Sequence, residues 1–415
     1  MARIAVLGGC GTVGSVAVRM LAASDVFSEI VVGDINFEKA RRFVQSLGSD
    51  KVTAVGFDAS KPESIERAIE GSQVVLNCVG PFYKFGPPIL KAVIEAGINY
   101  VDLCDDFDAT EKVLELDGDA KRRGVSALIG MGSSPGVSNV LVRFCSDVLL
   151  DEIESVDIYH AHGGEKVEGA AVVKHRIHSM MIDIPMFLDG KFTTVRLFDE
   201  SGQALEEEVD FPELGRYKVY AYPHPETITL PRYLEITDRV TNLGTVLPPA
   251  YAELIKGIVR LGLTAETPLD VGGQKVIPLE FAVSFILSQR EKLLKEAGIA
   301  EPMGCLKIVV AGKKRGEKST YVFSMSSRGR GMAEGTGIPA ALGAMLMGLG
   351  KIEPKGVFPP EVGVKPLDLL ELVQKQVKFE GKRGLPIAVQ HIDRKGTLRQ
   401  LDIRQLVQGC TQNNG

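Results

Sequence analysis

The stretch Arg3-Ile4-Ala5-Val6-Leu7-Gly8-Gly9-Cys10-Gly11-Thr12-Val13-Gly14 decides the fold. An apolar run of strand length passes directly into a G-x-G-x-x-G spacing, and a helical pattern follows at once. Gly9 permits the tight turn, Gly11 lets backbone approach a pyrophosphate, and Gly14 lets the helix pack on the strand. Thr12 and Val13 open the helix, where unsatisfied amides and the positive dipole end receive an anion. Asp34, about 20 residues further on at the end of a second apolar run, supplies the carboxylate that accepts from the adenosine ribose. That carboxylate repels a 2′-phosphate, and Ile35 and Asn36 bring no cation to bind one. NAD is the expected cofactor, with NADP the alternative that Arg41 and Arg42 keep open.

Outward from this motif the first third alternates strand and helix. Strands are expected at Arg3–Leu7, Glu29–Gly33, Val52–Phe57, Val74–Val79, Tyr100–Leu103 and Ser126–Ile129, with helices near 12–24, 36–47, 61–70, 86–96 and 107–123. The strand runs are apolar throughout, as strands covered on both faces must be. The fold class is therefore α/β, a Rossmann doubly wound parallel sheet plus a second α/β domain with a mixed sheet. The expected division is 1–138 dinucleotide-binding, 139–332 substrate and dimerisation, 333–378 helices returning to the first domain, and 379–415 an appended tail or strand pair. In the middle part, Ser155–Tyr159, Phe192–Phe198 and Cys305–Ala311 read as strands and Leu279–Ala297 as a helix. Asp189-Gly190 and Glu200-Ser201-Gly202 read as turns, Thr336 as a helix N-cap, Gly356 to Glu361 as a tight turn, and Leu367–Gln376 as a helix.

Bulk composition excludes some partners. A chain of 415 residues with 45% hydrophobic and 24% charged residues and a net charge of −5 carries no dense basic run, which argues against nucleic acid and anionic membranes. Ile338 to Leu349 is too short to span a bilayer, and the start lacks a signal-peptide cleavage pattern. Cys10, Cys78, Cys104, Cys145, Cys305 and Cys410 are scattered without metal spacing, so buried thiols, no metal and a cytoplasmic location are expected.

Further residues bear on the site. Asp58 ends the third strand, within reach of an adenine amino group or as a helix cap, and Asn77 and Gly80 end the fourth beside the cofactor ribose. The strings Gly80-Pro81-Phe82-Tyr83, Ala96 to Leu103, Gly132-Ser133-Ser134-Pro135-Gly136-Val137-Ser138-Asn139 and Gly356-Val357-Phe358-Pro359-Pro360-Glu361 resemble the saccharopine dehydrogenase family over roughly residues 1–375. Val271 to Pro278 and Lys307 to Lys314 are most similar to its lysine 6-dehydrogenase-like members. Ser134 stands where that family carries Asp or Ala, and the tail has no counterpart in it.

The resemblance implies NAD(P)-dependent chemistry at a C–N bond of a small amino-acid substrate, in a homodimer. Oxidative deamination of L-lysine at its side-chain amine is the first expectation. An opine-type reductase joining an amino acid to a carbonyl compound is the second, and a cofactor-bound scaffold without catalysis the third. A hydride leaves carbon only when the nitrogen lone pair is free, so a base must take the ammonium proton. A carboxylate near the iminium and an arginine on the substrate carboxylate complete the requirement. Asp106, His178 and His224 are the candidate catalytic groups, with Asp105 and His175 beside them. Asp102, Ser134 and Arg239 are candidates for substrate binding, with Arg176 and Arg232 competing for the carboxylate, and Pro135 joins the cofactor set.

Overall fold

The computed structural model describes residues 2–165, 168–329, 331–379, 382–384, 387–403 and 405–406. Cys410 and parts of the tail lie outside the described residues. The first sheet holds β1 (Arg3–Leu7), β2 (Glu29–Asp34), β3 (Val52–Gly56), β4 (Val74–Asn77), β5 (Asn99–Asp102) and β6 (Ser126–Leu128). All pair in parallel, in the order β6-β5-β4-β1-β2-β3. The order reverses between β1 and β4, which is where such a sheet opens a crevice for a ligand. One face is covered by Thr12–Ala22, Met332–Gly348 and Pro366–Gln376, the other by Pro62–Ile69 and Phe82–Glu95, which explains the unbroken apolar strands.

Several local expectations need correction. Gly356 to Glu361 is not a simple turn: Gly356–Phe358 is a seventh strand, parallel to β6, followed by a one-turn helix Pro360–Gly363. Three residues are too few to show a periodicity. Thr336 is not an N-cap, because its helix runs over Met332–Gly348 from a cap at Gly331. The helix expected from 86 begins at Phe82, with Pro87 and Pro88 inside it forgoing backbone donors. The segment 107–123 is two helices, Phe107–Leu114 and Asp117–Arg123, and Glu200–Gln203 is a short helix instead of a turn.

The second sheet is mixed and centres on β7 (Glu152–Gly163). It pairs in parallel with Ile236–Leu247 and antiparallel with Met303–Lys314. Glu317–Arg328 follows, and Ala388–Ile392 and Leu398–Leu401 extend the edge as a strand pair within the described part of the tail. The five described cysteines are free thiols, and no described helix is long and apolar enough to cross a membrane.

Gly337, just after Thr336, serves packing. A Cβ at Gly337 would lie 2.7 Å from the Val13 carbonyl oxygen and 2.9 Å from Val16 Cβ, so helix Met332–Gly348 sits directly on Thr12–Ala22. Gly337→Ala is expected to destabilise the protein by about 1–3 kcal/mol through overpacking. The measurement is the chemical-denaturation midpoint at constant slope. An unshifted midpoint would contradict this helix contact.

Candidate active site

The cofactor half of the site is built from absent side chains. A Cβ at Gly14 would stand 2.3 Å from the Gly8 carbonyl oxygen, and one at Gly9 would stand 2.9 Å from Val32 Cγ1. Gly11 caps Thr12–Ala22 without a side chain, and no acidic residue occupies the first turn, so the amides at Thr12 and Val13 open toward the crevice. Asp34 accepts from the Cys10 amide at 3.3 Å and the Asn36 amide at 3.1 Å, which fixes its carboxylate at the rim of the loop. Burial and the adjacent Asp34 carboxylate push the Cys10 thiol up to about 12, so it stays protonated. This glycine cradle with a carboxylate at its edge fits a dinucleotide. Asp58 instead accepts from Ser60 N and Oγ at 3.0 and 2.7 Å and faces Lys61, shaping the turn before Pro62–Ile69.

The turns after β4 and β5 are braced from within. Asn77 is fully buried, accepting from the Val79 amide at 3.0 Å and donating to Tyr100 Oη at 2.9 Å, which leaves Gly80 exposed at the strand end. Asp102 is equally committed, with Oδ1 accepting from Cys104 N and Gly130 N and Oδ2 from Tyr100 Oη. Burial raises its carboxyl to about 6, yet it lies behind the wall and touches no open space. Pro135 is buried in the turn where its carbonyl oxygen accepts from Gly132 N at 2.8 Å.

A cavity of about 290 Å³ lies beside these turns, walled by Asp105, Ser133 and Ser134 from the turns after β5 and β6 and by His160, His162, Glu165, His175, Arg176, Tyr222 and His224 from the part of the chain that carries the second sheet. Helix Met332–Gly348 adds Thr336 to the wall. Glu226 lies beneath it, with no exposed surface. It accepts from the Ser134 hydroxyl and, at 2.8 Å, from the Ser138 hydroxyl, and its other oxygen is 2.8 Å from His224 Nδ1. Burial by itself raises a carboxyl, but His224 and these hydrogen bonds outweigh it and hold Glu226 below the ordinary range. Burial likewise disfavours charge on His224, and the Glu226 carboxylate outweighs it, raising the imidazole.

A second pair faces the first. His175 Nδ1 lies 3.1 Å from Asp106 Oδ1, and Asp106 also accepts from the Tyr83 amide at 3.3 Å. His175 is raised because Asp106 and Asp105 overcome its burial, while Asp105 is raised by burial against the pull of His175. His160 and His162 behave oppositely. Burial, with His224 for one and Arg176 for the other, lowers both, His160 to about 3. The His160 ring lies across Gly244, where a Cβ would come within 2.0 Å of it.

The structure thus gathers Ser134, His224, Asp105, His175 and Arg176 in one cavity and puts Asp106 directly behind His175. His178 is exposed, its ring 5.7 Å from that of Tyr83 and outside the cavity. Arg239 is half exposed and bonded to Asp157 at 2.7 Å, also outside it, and Arg232 is exposed. Arg41 is an exposed partner of Glu38. No group of three or more metal-ligating side chains occurs among the described residues. Sequence reasoning missed Glu226, although it stands in the His224-Pro225-Glu226 string, and it missed His160 and His162.

Comparison with known proteins resolves the family. The model of the saccharopine dehydrogenase NADP binding domain matches residues 4–128, and that of the saccharopine dehydrogenase C-terminal domain matches residues 132–379. The chain belongs to the saccharopine dehydrogenase family. It is an NAD(P)-dependent oxidoreductase acting on C–N bonds. A family relative, the carboxyaminopropylagmatine dehydrogenase of Synechocystis sp., is 24% identical over 86% of this chain and 92% of its own length. The carboxynorspermidine synthase of Vibrio cholerae is 23% identical over 84% of this chain and 90% of its own. The saccharopine dehydrogenase (L-Glu forming) of Saccharomyces cerevisiae shares the fold, with a TM-score of 0.66 at 16% identity over 94% of this chain and 100% of that one.

The family model is named for NADP, whereas the sequence expectation puts the Asp34 carboxylate against the adenosine ribose, where it would repel a 2′-phosphate. Asp34→Ser is expected to shift the ratio of kcat/KM for NAD over NADP toward NADP by about tenfold, or ~1.4 kcal/mol. An unchanged ratio would show that this carboxylate does not face the ribose.

Proposed function

We propose that this protein oxidises, or in reverse forms, the secondary-amine C–N bond of a carboxylated polyamine-type substrate, with His224 exchanging the nitrogen proton. The observation that carries the reading is the His224–Glu226 pair, which faces the partly buried Asp105 across one cavity beside the cofactor turns. Both full-length relatives are named for carboxylated amines, not for lysine. The cavity offers one arginine, Arg176, for one carboxylate, and Asp105 and Glu165 for cationic nitrogens. L-Lysine also carries a single carboxylate, so its side-chain deamination is the second reading that this wall supports.

Nicotinamide, when bound, accepts the hydride in oxidation and donates it in reduction. Glu226 occupies His224 Nδ1, which leaves Nε2 to take the proton of the substrate ammonium. The freed lone pair drives departure of the hydride from the neighbouring carbon, and Asp105 stabilises the iminium cation. Water then adds to the iminium carbon, and the C–N bond breaks to give an amine and a carbonyl compound. Reduction runs these steps backward, with His224 returning its proton to nitrogen.

His224 must be neutral to act in oxidation, and its imidazole is raised above the ordinary value of about 6.5. Oxidative kcat/KM is therefore expected to rise with pH through a midpoint above that value. His224→Asn should lower it by about 10²–10⁴-fold. The decisive assay follows NAD(P)H consumption with a panel of carbonyl acids and linear di- and triamines, against NAD(P) reduction with L-lysine. Turnover with the amine and carbonyl pairs is expected. Turnover confined to L-lysine would replace this reading by the second, and full activity of His224→Asn would remove its base.

A further inference from the structure

Below the cavity a second buried carboxyl, Glu361, stands in contrast to Glu226. Its residue is 1% exposed, and it belongs to the C-terminal return, just after the strand Gly356–Phe358. Its Oε2 accepts from Asn139 Nδ2 at 2.8 Å. Asn139 cannot turn round, because its Oδ1 accepts the Gly136 amide at 2.8 Å and lies 3.1 Å from the Ser138 hydroxyl. Gly136 closes the turn that carries Ser133 and Ser134 into the cavity, and a Cβ there would sit 2.0 Å from the Gly132 carbonyl oxygen. Ser138 itself reaches Glu226, and Glu226 holds His224. A residue 222 positions from its partner therefore underlies both walls of the site.

We propose that Glu361 is a positioning residue for amine oxidoreduction, fixing Asn139 and through it the Ser134 turn and the Glu226–His224 pair. The claim rests on the reading of His224 given above. Glu226 has donors from Ser134, Ser138 and His224, whereas the carboxylate of Glu361 receives Asn139 and lies beside Thr229. Two acids in one buried region are thus pushed apart, Glu226 toward its charged form and Glu361 toward its neutral one. Burial raises Glu361 to about 7, and the Glu226 charge adds to the effect against Thr229 and Asn139. The other charged and titratable groups against it are Tyr233 on the helix Glu226–Tyr233 and Arg143, whose Nη1 donates to the Glu361 carbonyl oxygen at 3.1 Å, with His224 beyond Glu226.

Ionising Glu361 sets a second negative charge near Glu226, with only the neutral Asn139 and Thr229 side chains beside its carboxylate to offset it. The group's folded-state value is raised, so its contribution to stability is complete below about 4.3, its unfolded value, and is lost as pH rises through about 7. The test compares full-length wild type, Glu361→Gln and Glu361→Ala in kcat, KM and thermal midpoint between pH 5 and 9, with His224→Asn as control. Glu361→Gln keeps the neutral acceptor for Asn139. It should retain wild-type kcat near pH 6, lose the wild type's alkaline fall in kcat, and gain in thermal midpoint over wild type as pH rises. Glu361→Ala should lower kcat by about 10–100-fold with KM little changed, and Gln should rescue it. Superimposable kcat and thermal profiles of wild type and Glu361→Gln would overturn the proposal. If His224→Asn keeps full activity, the functional reading fails instead, and the thermal profiles still judge Glu361.

Discussion

A carboxylate withdrawn from water is strongly destabilising unless donors surround it, and Glu226 is withdrawn completely. Its donors come from three places in the chain. Ser134 lies in the turn leaving the parallel sheet, Ser138 on the helix Val137–Phe144, and His224 just before the helix Glu226–Tyr233. Loss of any one leaves a buried lone pair uncompensated. The turn leaving the parallel sheet and the helix Val137–Phe144 are therefore tied to the helix Glu226–Tyr233 through this group. The same satisfaction orients the imidazole and leaves its second nitrogen for chemistry.

Each sheet contributes half of the resulting site by the same device, a glycine where another chain or ring comes close. In the parallel sheet, Gly14 allows helix Thr12–Ala22 to start on top of β1, bringing its amides to the crevice. In the mixed sheet, Gly244 pairs with His160 in register, and the ring lies across it toward the cavity. Arg176 on the wall and Arg290 behind it share Glu168, so the wall arginine is held rigid by a buried pair and would lose little freedom to a bound carboxylate.

The parallel sheet and its glycine turn were legible in the sequence because their determinants are local. Parallel strands covered on both faces read as continuous apolar runs, and Gly9, Gly11, Gly14 and Asp34 lie within one β-α-β unit. The substrate half was not, because its contacts join distant residues: Ser134 meets Glu226 across 92 positions and Asn139 meets Glu361 across 222. No pattern of spacing records such pairs. The acidic run at the end of β5 shows the same limit. Asp102, Asp105 and Asp106 look alike in sequence, yet one braces a turn, one lines the cavity and one holds a histidine. Thr336 and the strand Gly356–Phe358 were misread because glycines that serve close packing resemble glycines that end elements.

The coupling on which the site depends is the one by which buried Glu226 keeps His224 charged more readily than its burial would allow. It is tested most directly by the titration of His224 in wild type and in Glu226→Gln, followed by NMR of the imidazole signals and assigned by difference from His224→Asn. A His224 pKa above about 6.5 is expected in wild type and below it in Glu226→Gln, where burial acts without the carboxylate. An identical titration in the two proteins would contradict it.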